Sequence, residues 1–140
     1  LITKLIFECC LIKKYYIDRD EKDIGIRNIL NFGHTLGHII ESKYETKGIT
    51  HGEAIINGIF LSVELSYLKK IMPYGEYQKI QSIFNILNIK YNYKLESYDI
   101  ENIKFDKKIS QNKHRFILLK GIAQPIICDD VSKDDILSVI

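Results

Sequence analysis

Three of the chain's four histidines fall within eighteen residues. The stretch "NFGHTLGH" carries His34 and His38, and "HGE" brings His51 soon after. Imidazole binds divalent metals and moves protons near neutral pH, so a cluster of this kind is either a packing accident or a site. Spacing alone pairs His34 with His38, because residues four apart share one helical face. The stronger HExxH zinc pattern is not met, since Thr35 follows His34. Zinc is held by His and carboxylate at about 2.0–2.2 Å, and a catalytic site leaves one position open.

The elements that would position these rings can be read from periodicity. Residues from about 26 to 44 predict a helix. At ~100° per residue, Arg27, Asn31, His34, His38 and Glu41 fall in one stripe roughly 80° wide. The apolar residues Ile26, Ile29, Leu30, Phe32, Leu36, Ile39 and Ile40 fill the opposite arc. A solvated face is normally built from Lys and Glu, and this stripe contains no Lys. Gly33 and Gly37 lie beside it, each costing about 1 kcal/mol relative to Ala in a helix. Either a neighbouring helix or ligand approaches closely there, or Gly33 ends the helix. A second helix is predicted from about His51 to Ile71. Thr50 and Glu53 form a capping box, Ile49 and Ala54 sit at staple positions, and the body "AIINGIFLSVELSYL" is apolar nearly all round. That helix is expected to be central and buried, with His51 in its first turn.

Around this pair, residues 1 to 17 predict an apolar helix, and Pro73 and Gly75 break the chain before a third helix over about 76 to 87. Residues 88 to 104 leave helix and loop both open. "RFILLKGIAQPIIC", with two apolar runs around Gly121, predicts a hairpin, and a last short helix is expected near Ser132. The fold class is therefore mainly α: a helical bundle with a small C-terminal β-hairpin in one domain over residues 1–140. The 140 residues carry a net charge of +2 with scattered basic groups, which gives no electrostatic case for nucleic acid. The dense basic run "KKISQNK" (Lys107 to Lys113) reads as a solvated loop. No apolar run approaches the ~20 residues of a membrane span, and "LIFECCLI" lacks the length and cleavage chemistry of a signal peptide. The odd number of cysteines, with Cys9 and Cys10 adjacent in an apolar stretch, predicts buried free thiols in a reducing cytoplasm. The chain opens on Leu rather than Met and is read as a piece of something longer.

"DEKDIGIRNILNFGHTLGHIIES", then "HGEAIINGIF", then "FDKKISQNKHRFILLKGI" resemble, in order and spacing, the C-terminal half of 3-dehydroquinate synthase. The resemblance covers most of the chain, and its R-x-x-x-N-x-x-H-x-x-x-H and HGEA blocks are far more specific than a lone motif. It implies a two-domain α/β plus α enzyme of the sugar phosphate cyclase superfamily. Such an enzyme turns 3-deoxy-arabino-heptulosonate 7-phosphate into 3-dehydroquinate and phosphate in the shikimate pathway of aromatic amino-acid (chorismate) biosynthesis. It is a carbon–oxygen lyase that uses NAD and a divalent metal, zinc or cobalt, and works in the cytoplasm as a homodimer on a small sugar phosphate.

The resemblance also revises the pairing of the histidines. It implies that His34 and His51 are the metal ligands, that a third ligand is a Glu upstream of this chain, and that His38 helps in proton transfer. Arg27 and Asn31 correspond to substrate-contacting catalytic groups, and Lys13, with Lys14 as its neighbour, to a substrate lysine. Lys107 or Lys108 matches a further one. Cations suit a substrate bearing a carboxylate and a phosphate. Three departures touch none of these positions: "LNIKYNY" replaces a Gly-Leu-Pro turn, "IINGIF" follows HGEA, and Ala123 stands where a glycine is common. No dinucleotide-binding glycine fingerprint occurs, so the NAD-binding domain is expected to lie outside this chain and the piece alone to be inactive. The competing readings are another cyclase, a metal-dependent alcohol dehydrogenase of the same fold such as glycerol dehydrogenase, and a non-catalytic helical remnant. The dehydrogenases should lack the Arg27/Asn31 spacing and the DKK block. His114 reads as a surface residue near the hairpin.

Overall fold

The computed structural model describes residues 1–89, 91–101 and 115–140. It divides into two compact units, Leu1–Asn31 and Phe32–Ile140.

In the N-terminal unit, α1 (Ile2–Arg19) runs two residues past its predicted end and stops at Asp20. The Asp20 carboxylate organises the next turn, accepting from the backbone N–H groups of Ile24 (3.1 Å), Gly25 (2.8 Å) and Arg27 (3.0 Å). Two of these amides belong to the turn that leads into a short 3₁₀ helix over Ile26–Asn31 and the third, Arg27, lies in its first turn, so one side chain holds the entry to that helix. Desolvation raises the Asp20 carboxyl, but the three donors and the Arg27 charge outweigh it and hold the group below its ordinary range. Cys9 and Cys10 are exposed, against the expectation of buried thiols. Within this unit α1 has only the 3₁₀ turn to pack against, so no core encloses them.

In the larger unit, α2 (His34–Tyr44) is joined by a 3₁₀ turn, Glu45–Lys47, to α3 (His51–Leu68). The continuous helix predicted from residue 26 to 44 is therefore corrected to two pieces. Gly33 sits at φ +78, outside the helical region, and a fresh α-helical ladder starts with the Gly37 N–H donating to the Gly33 carbonyl at 2.8 Å. Both readings of the glycines hold, since Gly33 interrupts the helix and also meets α3 at close range. A Cβ on Gly33 would lie 2.5 Å from the Ile59 side chain and one on Gly37 2.8 Å from Ile55. A Cβ on Gly58 of α3 would lie 2.1 Å from the Gly33 carbonyl oxygen. Only glycine on both faces lets α2 and α3 cross this closely.

The predicted capping box of α3 is formed: the Glu53 N–H donates to Thr50 Oγ1 (3.3 Å) and the Thr50 N–H to Glu53 Oε2 (2.9 Å). Helix α3 buries Ala54, Leu61, Val63 and Leu65, as its apolar body requires. Ala54, Leu61 and Leu65 join Leu36 and Ile40 of α2 and Phe116 and Leu118 of the hairpin in a core reaching to Ile136, while Val63 packs with Met72, Ile80, Phe84 and Leu119 in a second cluster. The two buried serines of α3 are satisfied within it: Ser62 donates to the Gly58 carbonyl and Ser66 to that of Ser62.

After Pro73, α4 (Tyr74–Ile86) packs back on α3 and presents Tyr77, whose hydroxyl donates to Glu64 at 2.7 Å. Within 88 to 104 the described residues hold one short helix, α5 (Ser97–Glu101). It is tied to α2 by Lys43, whose ammonium donates to the buried Asp99 carboxylate at 2.7 Å. The predicted hairpin is β1 (Phe116–Leu119) against β2 (Pro125–Cys128), antiparallel, with Phe116 opposite Cys128 and Leu119 opposite Pro125. The Leu119 N–H donates to Ser66 Oγ at 3.0 Å, which moors the hairpin to α3. The last helix, α6 (Lys133–Leu137), starts at Ser132 with a second capping box, and Lys69 holds its Asp135 at 2.8 Å. The described structure is mostly helical with one two-stranded sheet. Among the described residues no helix is long and apolar enough to cross a membrane.

Candidate metal site

The close crossing of α2 and α3 decides where the histidines stand. His34 opens α2, His38 lies one turn further on, and His51 opens α3. Their ring centroids form a nearly equilateral triangle: 5.6 Å from His34 to His38, 5.9 Å from His34 to His51 and 5.8 Å from His38 to His51. Three imidazoles on one tetrahedral zinc at Zn–N of about 2.0–2.1 Å would place their centroids roughly 5 Å apart. The observed triangle is wider than that on every side.

A fourth side chain occupies the cluster. Glu41 Oε1 accepts from His51 Nδ1 at 3.0 Å, and Oε2 accepts from His38 Nδ1 at 3.1 Å. These two hydrogen bonds lower the Glu41 carboxyl below its ordinary range, so it is ionised at neutral pH. An ionised carboxylate only accepts, which places a hydrogen on both Nδ1 atoms. His34 Nδ1 faces the Phe32 carbonyl oxygen at 3.3 Å, also an acceptor. In its neutral form each ring then carries its lone pair on Nε2. That is the donor set a divalent cation needs. The backbone and carboxylate partners of the opposite nitrogens are the usual supports of metal-binding histidines. His38, Glu41 and His51 each also offer a ligand atom within 4.8 Å of the other two. His38 and His51 are each 57% exposed at the side chain, so an ion and a substrate could reach them from solvent.

The structure brings His34, His38 and His51 together. Lys13, Arg27 and Asn31 belong to the N-terminal unit. There Lys13 lies exposed on α1, the Arg27 guanidinium donates to the Glu21 carbonyl at 3.0 Å, and Asn31 closes the 3₁₀ turn with its side chain exposed. Lys107, Lys108 and His114 lie outside the described residues. The sequence places Glu41 on the histidine stripe but gives it no role. Its three-residue spacing from His38 is the available signal, whereas its contact with His51 depends on the crossing of two helices.

Comparison with known proteins places this chain in a class. Residues 1–114 match the family described as 3-dehydroquinate synthase C-terminal. A 3-dehydroquinate synthase of Clostridium tetani is 40% identical over 134 residues, covering 94% of this chain and 35% of that protein. One from Clostridium botulinum is 39% identical over 128 residues, covering 90% of this chain and 37% of that protein. Among solved structures, a 2-deoxy-scyllo-inosose synthase in complex with carbaglucose-6-phosphate, NAD+ and Co2+ is 27% identical with a TM-score of 0.62, covering 81% of this chain and 33% of its own. A 2-epi-5-epi-valiolone synthase from Streptomyces hygroscopicus, with NAD+ and Zn2+ bound, shares the fold at a TM-score of 0.76 and 17% identity, covering 89% of this chain and 35% of its own. The class is that of the sugar phosphate cyclases. Within it, the chain belongs to the 3-dehydroquinate synthase family, and its helical fold is that of the C-terminal domain of these two-domain enzymes. It spans between a third and two fifths of the length of the relatives it matches.

Proposed function

We propose that this chain is the metal- and substrate-binding half of a 3-dehydroquinate synthase, a phosphate-eliminating lyase of the shikimate pathway. It would act on 3-deoxy-arabino-heptulosonate 7-phosphate and release 3-dehydroquinate and phosphate. The observation that carries the proposal is the triangle of imidazoles with their Nε2 lone pairs unengaged by Glu41 and the Phe32 carbonyl. His34 and His51 hold the cation, and a carboxylate from the preceding domain completes its shell. When bound, a zinc or cobalt ion supplies Lewis-acid charge beside the substrate hydroxyls, and NAD, held by that preceding domain, supplies a hydride acceptor.

The chain's own residues do the remaining work. His38, anchored through Nδ1, takes and returns a proton at Nε2. Arg27 offers a planar fork suited to a carboxylate or phosphate, and Asn31 orients a hydroxyl. Lys13 and one of Lys107 and Lys108 add point charges for the acidic ends of the substrate. The enzyme acts in the cytoplasm as a homodimer, and neither a nucleic acid nor a membrane is a partner.

A second reading, a sister cyclase acting on another sugar phosphate, is favoured by the likeness to the inosose synthase. Phosphate release separates the two. We expect this chain alone to release no phosphate. Joined to a cofactor-binding half and supplied with zinc and NAD+, it should release phosphate from 3-deoxy-arabino-heptulosonate 7-phosphate. It should leave glucose 6-phosphate, the parent sugar of the carba analogue, untouched. Preference for glucose 6-phosphate would assign the chain to the sister enzyme, and turnover by the chain alone would overturn the division of labour.

A further inference from the structure

Glu41 makes both of its strong hydrogen bonds to imidazole Nδ1 atoms, one on its own helix and one ten residues on across the α2–α3 turn. No Lys or Arg pairs with it among the described residues. We propose that Glu41 is the positioning residue of the metal site: through its two oxygens it fixes His51 and His38 in the Nδ1–H tautomer, so that His51 presents Nε2 to a divalent cation and His38 presents Nε2 to substrate. This rests on the proposed metal site and adds a role for a side chain that touches neither the ion nor the substrate.

The chemistry of the donors requires an acidic side chain. A carboxylate accepts at both ends and satisfies two Nδ1–H donors at once. An amide accepts at one end only and donates at the other. With Gln at position 41, one of the two rings must turn its hydrogen to Nε2 to accept at Nδ1, and a ring so switched no longer offers a lone pair to the site. Carboxylates bonded to the far nitrogen of a ligating histidine typically account for about 10–100-fold in metal affinity. Glu41 is well placed for this. It is part-buried on a helix whose Leu36, Gly37 and Ile40 are locked against α3, so its own position is set by packing rather than by the ligand. Acting as a ligand itself would demand that Glu41 release the ring it now holds.

The test uses the full chain, uniformly ¹⁵N-labelled, with zinc as the probe. Long-range ¹H–¹⁵N spectra of the metal-free protein report the tautomer of each ring, and titration against a chromophoric chelator reports zinc affinity. We expect His38 and His51 of the unsubstituted protein both to be Nδ1–H. In Glu41→Gln, one ring should change to Nε2–H and zinc should bind about 10–100-fold more weakly. His51→Ala should lose zinc altogether. A metal-free spectrum with His51 in the Nε2–H form overturns the proposal without any variant, which covers the case of a substitution that does not fold. Unchanged tautomers and zinc affinity within about twofold in Glu41→Gln also overturn it. If His51→Ala still loses zinc in that case, the metal site stands and only the role of Glu41 falls. Zinc binding that survives His51→Ala rejects the site itself.

Discussion

Ala123 shows what a single residue can reveal. It occupies the hairpin turn at φ +57, a region that costs a residue with a Cβ about 1–2 kcal/mol. Its side chain is exposed, so no packing offsets that cost. The family resemblance marks this place as one where glycine is common, and the backbone supplies the reason. Glycine would remove the steric penalty, while its greater freedom in the unfolded chain returns about 0.4–1 kcal/mol of it. Ala123→Gly is expected to stabilise the protein by about 0.5–1 kcal/mol, read as a higher urea midpoint with an unchanged slope. Destabilisation would show that the turn relaxes in solution. The histidines are legible in the sequence because their type and spacing are unusual in a short chain. Glu41 is only half legible: a heptad-like stripe shows which side chains share a face, not which neighbour across a loop they reach.

At the scale of elements, the strongest sequence signals concern caps and breaks. Thr50 with Glu53 locates the start of α3 to the residue, and Pro73 locates the gap before α4, because each acts on backbone within a few residues of itself. The stretch 26 to 44 misleads because every step of its apolar pattern is helical, while the backbone forms a 3₁₀ piece and then α2, parted by a positive φ at Gly33. Periodicity reports which side chains face a core and is blind to a single positive φ. The same glycine does its work jointly with Gly58, and no one-dimensional pattern links positions 33 and 58. Gly58→Ala should be destabilising by about 2–4 kcal/mol, since its Cβ would meet backbone rather than a flexible side-chain end. Relief is available only if α2 moves away from α3, so zinc affinity should fall with stability. A variant as stable as the parent in chemical denaturation would mean that the crossing is looser than described.

At the scale of the whole molecule, the helical class and the C-terminal hairpin are readable because each element carries its own period and punctuation. Division into two units is not, since residues 1 to 31 change neither composition nor charge pattern at the boundary. The chain spans between a third and two fifths of its relatives' length, yet the histidine cluster lies wholly within it, on α2 and α3 of the larger unit. Metal binding should therefore be measurable on this chain even where turnover is not. The most direct measurement is zinc K-edge X-ray absorption on the loaded protein and its histidine variants, with metal content read by mass spectrometry. Two imidazole nitrogens at about 2.0–2.1 Å are expected in the parent. His38→Ala should keep both of them and its full metal content, while His34→Ala and His51→Ala should lose the metal. Equal loss in His38→Ala would make that ring a ligand, and zinc retained by His34→Ala or His51→Ala would contradict a site built where the two helices begin.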